Sequence, residues 1–278
     1  MFGRAKKDVR GAGAPESAVD RSSALAMVLL EAPVALSTER LAAVWGETWP
    51  EFVGPTDVEA GGDDDRDRGG GDGAFACTLG PMHVAMMVMP MTIPNRELEG
   101  PAATSWLWPS AEQDIARVGA HVVVFVSGEV SRVEAHEHLT RLVTVVTKAT
   151  GAMGVYQGGA GQVIQAEVYV SLAEGIVEQK LPVMLWVDFR CYVENGRTSL
   201  FTVGMKDLGL MDLEVPSSTT APGDLRFWAM DIATYLMRQG PVINDGDTVG
   251  ATADERIVVT HGPSMIDRPD TVYSFRGC

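Results

Sequence analysis

Hydrophobic and polar residues alternate along this chain in two patterns, short apolar runs and longer segments with helical spacing. Four of the runs, "ALAMVLL", "FACTL", "HVAMMVM" and "HVVVFV", are short and rich in residues that suit buried strands. Helical segments lie between the first and second runs and after the third. The pattern therefore predicts strands and helices mixed along the chain.

Four helices are predicted from capping residues and from apolar positions that recur three and four residues apart. The capping and terminating residues are Ser37; Ser110 with Gln113; Ser131 with Glu134 and a stop at Gly151; and, for a last helix over 223–239, Gly240 and Pro241. The two Ser-x-x-Glu/Gln pairs have the spacing of a capping box.

The clearest strand pair is "VMLWVDFRCYVE" and "RTSLFTVGM", joined by Asn195-Gly196, a dipeptide typical of two-residue hairpins. This turn places Glu194 opposite Arg197, a favourable cross-strand charge pair. Because side chains alternate along a strand, each face of the first strand can be predicted. The inward residues are Val187, Phe189, Cys191 and Val193, together with Leu200. The outward residues are Asp188, Arg190, Tyr192 and Glu194, which form a candidate interaction face.

These elements indicate an α+β fold with a largely antiparallel or mixed sheet and helices packed on it. An alternative within this class is a pair of ferredoxin-like βαβ halves. Residues 1–22 are polar and predict a disordered tail, which leaves a single domain over 23–278. The Gly- and Asp-rich stretch within 54–73 predicts a flexible loop, because it has little apolar surface to bury.

Net charge narrows the choice of partner. The chain has 37 acidic and 22 basic side chains and a net charge of −15, which repels nucleic acid and anionic lipid headgroups. We therefore expect no nucleic-acid or membrane partner, whereas a basic protein surface would be attracted.

Cysteine usage and hydropathy predict a cytoplasmic protein. Three widely spaced cysteines, Cys77, Cys191 and Cys278, fit reduced thiols better than a disulfide framework. No apolar stretch approaches membrane-spanning length, and acidic residues near the start of the chain argue against a signal peptide.

Two pairs of carboxylates are the strongest candidates for chemistry. Asp212 and Glu214 alternate on one strand, and Asp245 and Asp247 flank Gly246. Such pairs could share a divalent ion if the two segments met. Solvent-facing acids on a strand explain the first pair more simply, and a structural turn with glycine at positive φ explains the second.

The remaining motifs favour structural explanations. His136 and His138 lie two residues apart on a predicted helix, so they point away from each other and cannot share an ion from that helix. The glycine-rich loop at 158–161 lacks the P-loop and dinucleotide spacings. We interpret it as a tight turn from a strand into a helix, with anion binding at that helix start as the alternative. No cofactor, metal site or catalytic residue is predicted.

The C-terminal third resembles a bacterial family known as domain of unknown function 4261. The resemblance rests on "LPVMLWVDF", "FTVGMKDLGLMDLEV", "DIATYLMRQGPV" and "DGDTVG" followed by "ERIVV". It is most specific over 181–260, and "VMPMTIP" and "GAMGVY" extend it upstream. Asp212 stands where the family pattern has glutamate. The resemblance implies membership but no activity, cofactor or catalytic residue.

Two functional hypotheses are compatible with these features. The first is a non-enzymatic interaction protein, of the immunity or adaptor type, whose acidic surface engages a basic partner. The second is a small-molecule or divalent-metal enzyme that uses Asp212, Glu214, Asp245 and Asp247. The second requires the two acidic segments to converge in one pocket.

Overall fold

The computed structural model describes residues 21–60, 73–250 and 256–277. Within 23–278, for which the sequence predicts one domain, the contacts divide the chain into two compact units, one ending at Trp186 and the other beginning at Val187. Each unit has its own sheet. Of the predicted tail 1–22, residues 1–20 lie outside the described part, and Ser22 already belongs to the first strand.

The first unit contains seven strands and six short or medium-length helices in its described residues. In chain order they are β1 Ser22–Leu30, α1 Thr38–Thr48, β2 Thr56–Ala60, β3 Ala74–Leu79, β4 Met82–Met89, α2 Glu99–Thr104, α3 Ala111–Asp114, β5 Ala120–Gly128, α4 Arg132–Thr150, β6 Gly154–Gln157, β7 Gln162–Gln165, α5 Ala166–Ala173 and α6 Val183–Trp186. All four apolar runs predicted as strands are strands.

The seven-stranded sheet has the order β2-β3-β4-β5-β1-β6-β7, with every neighbouring pair antiparallel. Strands β4, β5, β1 and β6, with α1 following β1 and α4 following β5, have the order of a split βαβ or ferredoxin-like arrangement. The alternative predicted from the sequence therefore holds for this unit.

The alternation of side chains decides which face of this sheet is buried. Ala24, Ala26 and Val28 of β1 and Val122, Val124 and Val126 of β5 are at most 7 % exposed. Helix α4 packs on β1 and β5, and α1 packs on α4. The segment containing α2 and α3 covers one end of the opposite face, where Leu29 and Tyr156 join Ile93 and Trp108 in an apolar cluster.

Helix caps account for the clear helix boundaries. The Ser131 side chain accepts a hydrogen bond from the backbone N–H of Glu134, and Gly151 ends α4 with a φ of 64°. Ser37 caps α1 in the same way. The capping box predicted at Ser110 is wrong, since its hydroxyl donates to Asp114 Oδ2 instead of accepting from the backbone. That helix has four residues and continues as a 3-10 turn.

The second unit has a six-stranded mixed sheet with one long helix. Its elements are β8 Asp188–Glu194, β9 Arg197–Val203, β10 Leu213–Ser218, α7 Pro222–Gln239, β11 Thr248–Val249, β12 Ile257–Pro263 and β13 Thr271–Arg276. The strand order is β11-β12-β13-β10-β9-β8, and β10 and β13 are parallel. Its described residues contain one α-helix and a meander of β8, β9 and β10, so the ferredoxin-like order does not extend to this unit.

The Asn195-Gly196 hairpin is confirmed. Asn195 and Gly196 both have positive φ, 50° and 74°, as the tight turn requires, and Glu194 pairs with Arg197. The strand predicted to begin at Val183 is wrong at its start, because Val183–Trp186 form a helical turn and β8 begins at Asp188. Pro182, directly before this turn, suits the first position of a helix and has no N–H for a strand ladder.

The range predicted as a flexible loop, 54–73, contains a strand. β2 lies inside this range and pairs with β3, while residues 61–72 lie outside the described part.

Among the helices of the described residues, none combines the length and the apolar character needed to cross a membrane.

Candidate functional site

Asp212 lies immediately before strand β10 of the second unit, and Glu214 lies within it. The sequence favoured solvent-facing acids here, and this expectation is wrong: Glu214 is 1 % exposed and Asp212 is 9 % exposed. A buried carboxylate needs hydrogen bonds and a cation to offset its lost hydration. The surroundings of the pair supply both.

Arg268, in the connection between β12 and β13, bridges the two carboxylates. Its Nη1 lies 3.0 Å from Asp212 Oδ2, and its Nη2 lies 3.3 Å from Glu214 Oε1. The hydroxyl of Ser264 donates to Glu214 Oε1 and that of Thr202 donates to Asp212 Oδ1. We call Thr202, Asp212, Glu214, Ser264 and Arg268 the Arg268 cluster.

Every carboxylate oxygen in the Arg268 cluster accepts at least one hydrogen bond. Backbone N–H groups complete the set, since Met265 N donates to Glu214 Oε2 at 2.6 Å and Met205 N donates to Asp212 Oδ1 at 3.3 Å. The bonds from Ser264, Met265 and Arg268 fasten the β12–β13 connection onto β10. The cluster therefore acts as a structural clasp.

Burial affects both Asp212 and Arg268 in the Arg268 cluster. Burial raises the pKa of Asp212, and this outweighs the opposite effects of Thr202, Arg268 and the Met205 N–H. Arg268 Nε is buried without a hydrogen-bond partner. The guanidinium carbon lies 5.9 Å from the ring centroid of Phe201 on β9, and Arg190 lies 6.0 Å from the same centroid. Two guanidinium groups therefore flank one aromatic ring.

The comparison with protein families identifies this region. A family model described as "Domain of unknown function (DUF4261)" matches residues 201–275. Residues 201–275 are assigned to the DUF4261 family on this match. The match runs from within β9 into β13 and contains every member of the Arg268 cluster, whereas the resemblance inferred from the sequence extends more widely. Comparisons with curated proteins and with solved structures gave no match.

The second acidic pair of the DUF4261 segment forms a turn between α7 and β11, as predicted. Asp247 N donates to Asn244 O at 3.1 Å, and Gly246 has a φ of 83°. Asp245 Oδ1 accepts from His261 N at 2.8 Å, whereas Asp247 Oδ2 accepts from Asn244 N at 2.7 Å. The two side chains thus hold opposite sides of the turn.

The four acids do not form a common ion site. Asp212 and Glu214 share Arg268, while Asp245 and Asp247 bond to groups outside the Arg268 cluster. Across residues 21–60, 73–250 and 256–277, no group of three or more His, Cys, Asp or Glu side chains is arranged to hold a metal ion.

The candidate interaction face on β8 lies just before the DUF4261 match and is only partly outward. Tyr192 is 43 % exposed, and Glu194 is exposed. Asp188 is 2 % exposed, so its predicted outward position is wrong; its carboxylate accepts a hydrogen bond from Arg190 Nε at 2.5 Å. Val193, predicted to face the core, is 60 % exposed. Successive residues at the start of β8 are buried, which means that both sheet faces are covered there and alternation fails.

The glycine-rich loop at 158–161 joins two strands, so its predicted position at a helix start is wrong. Gly161 has a φ of 59°, and β7 follows the turn before α5 begins at Ala166. The loop therefore has no helix N-terminus to offer an anion. The sequence pattern was ambiguous at this point because glycine-rich turns precede both helices and strands.

A buried cation occurs in the first unit, on α4. Arg141 is 8 % exposed, its guanidinium lies 4.4 Å from the ring centroid of Phe52, and its Nη2 lies 3.2 Å from His138 Nδ1. Burial, with a further contribution from Arg141, lowers the pKa of His138 to about 4. His136 instead bonds to Arg132 O, so the two histidines point to different partners.

Sequence reasoning missed Arg268, Thr202 and Ser264. The sequence does contain a clue to such a cluster. Two acids on the same face of a strand need a cation nearby if that face is buried. Arg268 lies in "SMIDRPD", a short polar connection between two apolar strands. Pairing it with β10 required knowledge that β13 lies beside β10, a parallel contact between distant segments.

Proposed function

We propose that this protein is a bacterial, cytoplasmic, non-enzymatic interaction protein of the immunity or adaptor type. It binds a basic protein through the exposed residues Tyr192, Val193 and Glu194, which we call the outer end of β8. One observation carries the proposal. Within the described residues, β8 ends the six-stranded sheet and pairs with β9 alone, and its outer end exposes Tyr192 and Val193.

An edge strand offers unpaired N–H and C=O groups to a second chain, which can add a strand to the sheet. Proteins that do not use such an edge protect it with charges, proline or a covering segment. The outer end of β8 instead presents a tyrosine 43 % exposed and a valine 60 % exposed. Aromatic residues of this kind are favoured anchors in protein interfaces.

The charge of the chain supports a basic partner. A net charge of −15 accelerates encounter with a positively charged surface and disfavours nucleic acid. The negative charge of the chain would then steer the partner, while Tyr192 and Val193 would supply the desolvated contact. Such binding weakens as salt screens the charges.

The enzyme hypothesis has less support. It needs carboxylates that can reach a substrate or an ion, whereas Asp212 and Glu214 are buried and bonded to Arg268, Thr202, Ser264 and the backbone. Asp245 and Asp247 are engaged in their own turn.

A photo-crosslinking amino acid at position 192 tests the proposal in native cells, with the same group at Val258 as the matched control. Val258 is 42 % exposed on β12 of the same sheet, four strands away from β8. We expect one basic protein to crosslink at position 192 and not at 258.

Binding of that protein in purified form gives the quantitative test. Tyr192→Ala should weaken it by roughly tenfold or more, as for an interface anchor, while Val258→Ala leaves it unchanged. Equal crosslinking at both positions, or equal affinity of both variants, would remove the β8 edge as the binding surface.

A further inference from the structure

On the face of the seven-stranded sheet away from α1 and α4, the described residues of the first unit leave an apolar area exposed. Two rows of side chains cross four strands there: Ala76, Ala85, Phe125 and Leu25 in one, and Ala74, Met87, Val123 and Met27 in the other. We call these eight residues the open sheet face. Leu25 is 40 % and Met87 is 39 % exposed, and Ala76 and Ala85 are exposed. Met27, at one corner, is half-buried because it also packs against the apolar cluster around Trp108.

The open sheet face contains no charged residue, although 21 % of the residues of the chain are charged. The row beside it is polar and uncharged, formed by Thr78, His83, Ser127 and Ser23. A contiguous apolar area with a polar rim marks an interaction site. Interfaces between identical subunits are the most apolar class and are depleted of charge.

We propose that a second copy of this chain covers the open sheet face, related by a twofold axis that runs parallel to the strands between β4 and β5. Such an axis reverses the strand order across the interface. It places β1 and β5 of one copy over β3 and β4 of the other, in the aligned packing of two sheets.

Side-chain size fits this axis. In the first row the two small residues, Ala76 and Ala85, lie on β3 and β4, and the two large ones, Phe125 and Leu25, lie on β5 and β1. Reversal sets Leu25 over Ala76 of the other copy and Phe125 over Ala85. Large side chains therefore meet small ones along the row, which close packing requires.

The second row behaves in the same way at its ends. Ala74 on β3 lies opposite Met27 of the other copy, and Met87 lies opposite Val123. The first row is thus complementary to itself under the reversal along its whole length, and the second row is complementary at its ends. A chemically different partner would need no such arrangement of sizes.

Charges at the two edges of the face complement each other across the same axis. On the β2 side, Glu59 pairs with Ala76, and the carboxylate of Asp57 accepts a hydrogen bond from Thr78 Oγ1 at 2.9 Å. On the β1 side, Arg21 is exposed two residues before Ser23. Reversal brings Arg21 of one copy towards Asp57 and Glu59 of the other, which favours a second copy as occupant.

The mass of the full chain in solution, measured by sedimentation equilibrium, tests the surface. We expect a dimer at micromolar concentration, and dissociation to a monomer in Ala85→Glu, because the added carboxylate would be buried against Phe125 of the other copy. The matched control is Ala43→Glu, which adds the same charge at an exposed alanine of α1, on the other side of the sheet. This control should remain a dimer.

A crosslinking experiment tests the axis and does not depend on the folding of the charged variant. Ala76→Cys and Leu25→Cys are made in separate chains, with Cys191 and Cys278 replaced by serine, then mixed and treated with a bifunctional thiol reagent that spans about 10 Å, the distance between two sheets packed face to face. Under the proposed axis, residue 76 of one copy faces residue 25 of the other, so the mixture should form a crosslinked dimer. Residue 76 lies three strand spacings, roughly 14 Å, to the side of its own counterpart, and the same holds for residue 25, so each variant alone should not crosslink.

Three results would overturn the proposal. The wild-type chain could remain a monomer at the highest concentration reached, or Ala85→Glu could dimerise as well as Ala43→Glu. The third is crosslinking of Ala76→Cys to itself and not to Leu25→Cys, which would exclude this twofold axis. Loss of the dimer in Ala85→Glu together with crosslinking in the mixture would establish it.

Discussion

Arg268 shows how a single residue can fasten a distant connection to a sheet. It bridges two carboxylates that are 1 % and 9 % exposed, and it holds the β12–β13 connection against β10. Arg268→Ala would leave both acids in the interior without their cation. Removing one partner of a buried ion pair leaves the other charge buried without compensation. The free energy of unfolding, measured by urea denaturation, should therefore fall by about 3–5 kcal/mol.

Arg276→Ala is the control for this substitution. It removes the same side chain from an exposed position at the end of β13, so it should change the free energy of unfolding by less than about 0.5 kcal/mol. Adding Asp212→Asn and Glu214→Gln to Arg268→Ala should recover part of the loss, because neutral amides bury at lower cost than carboxylates. Similar losses for Arg268→Ala and Arg276→Ala would contradict the clasp.

His138 makes stability depend on pH. Its folded-state pKa is about 4, below the ordinary 6.5, because burial and the neighbouring Arg141 both disfavour the charged imidazolium. A lowered pKa means that the unfolded chain binds the proton more tightly. The stabilisation is therefore complete above pH 6.5, declines as pH falls from 6.5 towards 4, and is lost below 4.

Urea midpoints across that range should show the effect in comparison with His138→Gln. The wild-type midpoint should fall more steeply with acid than that of the variant, which has no imidazole to protonate. His83→Gln, at an exposed position of β4, should retain the wild-type slope. Parallel pH profiles for wild type and His138→Gln would disprove a role for His138.

At the scale of elements, the turn at 244–247 shows how a local conformation sets the effect of a substitution. Gly246 has a φ of 83°, and a Cβ added there would meet no atom within 4 Å. Gly246→Ala should therefore destabilise through backbone strain alone, by about 1 kcal/mol or somewhat more. The measurement is again the free energy of unfolding.

Gly46→Ala in α1 is the matched control for the turn. A Cβ at Gly46 also meets nothing within 4 Å, but the residue is helical and has no positive φ. Alanine should stabilise that helix by up to about 1 kcal/mol. Opposite signs for the two substitutions would establish the strain, and equal signs would refute it.

Calcium should not raise the melting temperature, because Asp245 and Asp247 already accept backbone hydrogen bonds.

Elements differ in how far the sequence predicted them. The hairpin at Asn195-Gly196, the cap at Ser131 and the stop at Gly151 are local features whose causes lie within a few residues, and all three are confirmed. The sequence predicts that the loop at 158–161 leads into a helix, yet the loop lies between two strands. Its glycines favour a turn but do not select the element after the turn, which depends on the pairing of β6 with β7.

At the scale of the whole molecule, net charge predicts how salt affects stability. A charge of −15 destabilises the compact state through self-repulsion, which salt screens over a Debye length of about 10 Å at 0.1 M. The melting temperature should therefore rise between low salt and physiological NaCl. Surface ion pairs such as Arg96–Glu99 oppose this, but exposed pairs contribute little. A melting temperature that falls with NaCl would show that specific ion pairs dominate.

The sequence by itself determined the fold class, the caps, the tight turns and the acidic character of the chain. These depend on periodicity and on backbone preferences that act within a few residues. Tertiary structure decided which faces are covered, and this changed the meaning of several residues. The sequence predicts that the side chains of Asp188 and Glu214 face solvent, yet both are buried.

The Arg268 cluster and the open sheet face show why local sequence patterns do not reveal which faces are covered. Burial of Asp212 and Glu214 depends on β13 lying beside β10 and on a connection more than fifty residues away. The two apolar rows form only when β3, β4, β5 and β1 take their places in one sheet. Contacts between distant segments follow from packing the entire chain, and no local pattern encodes them.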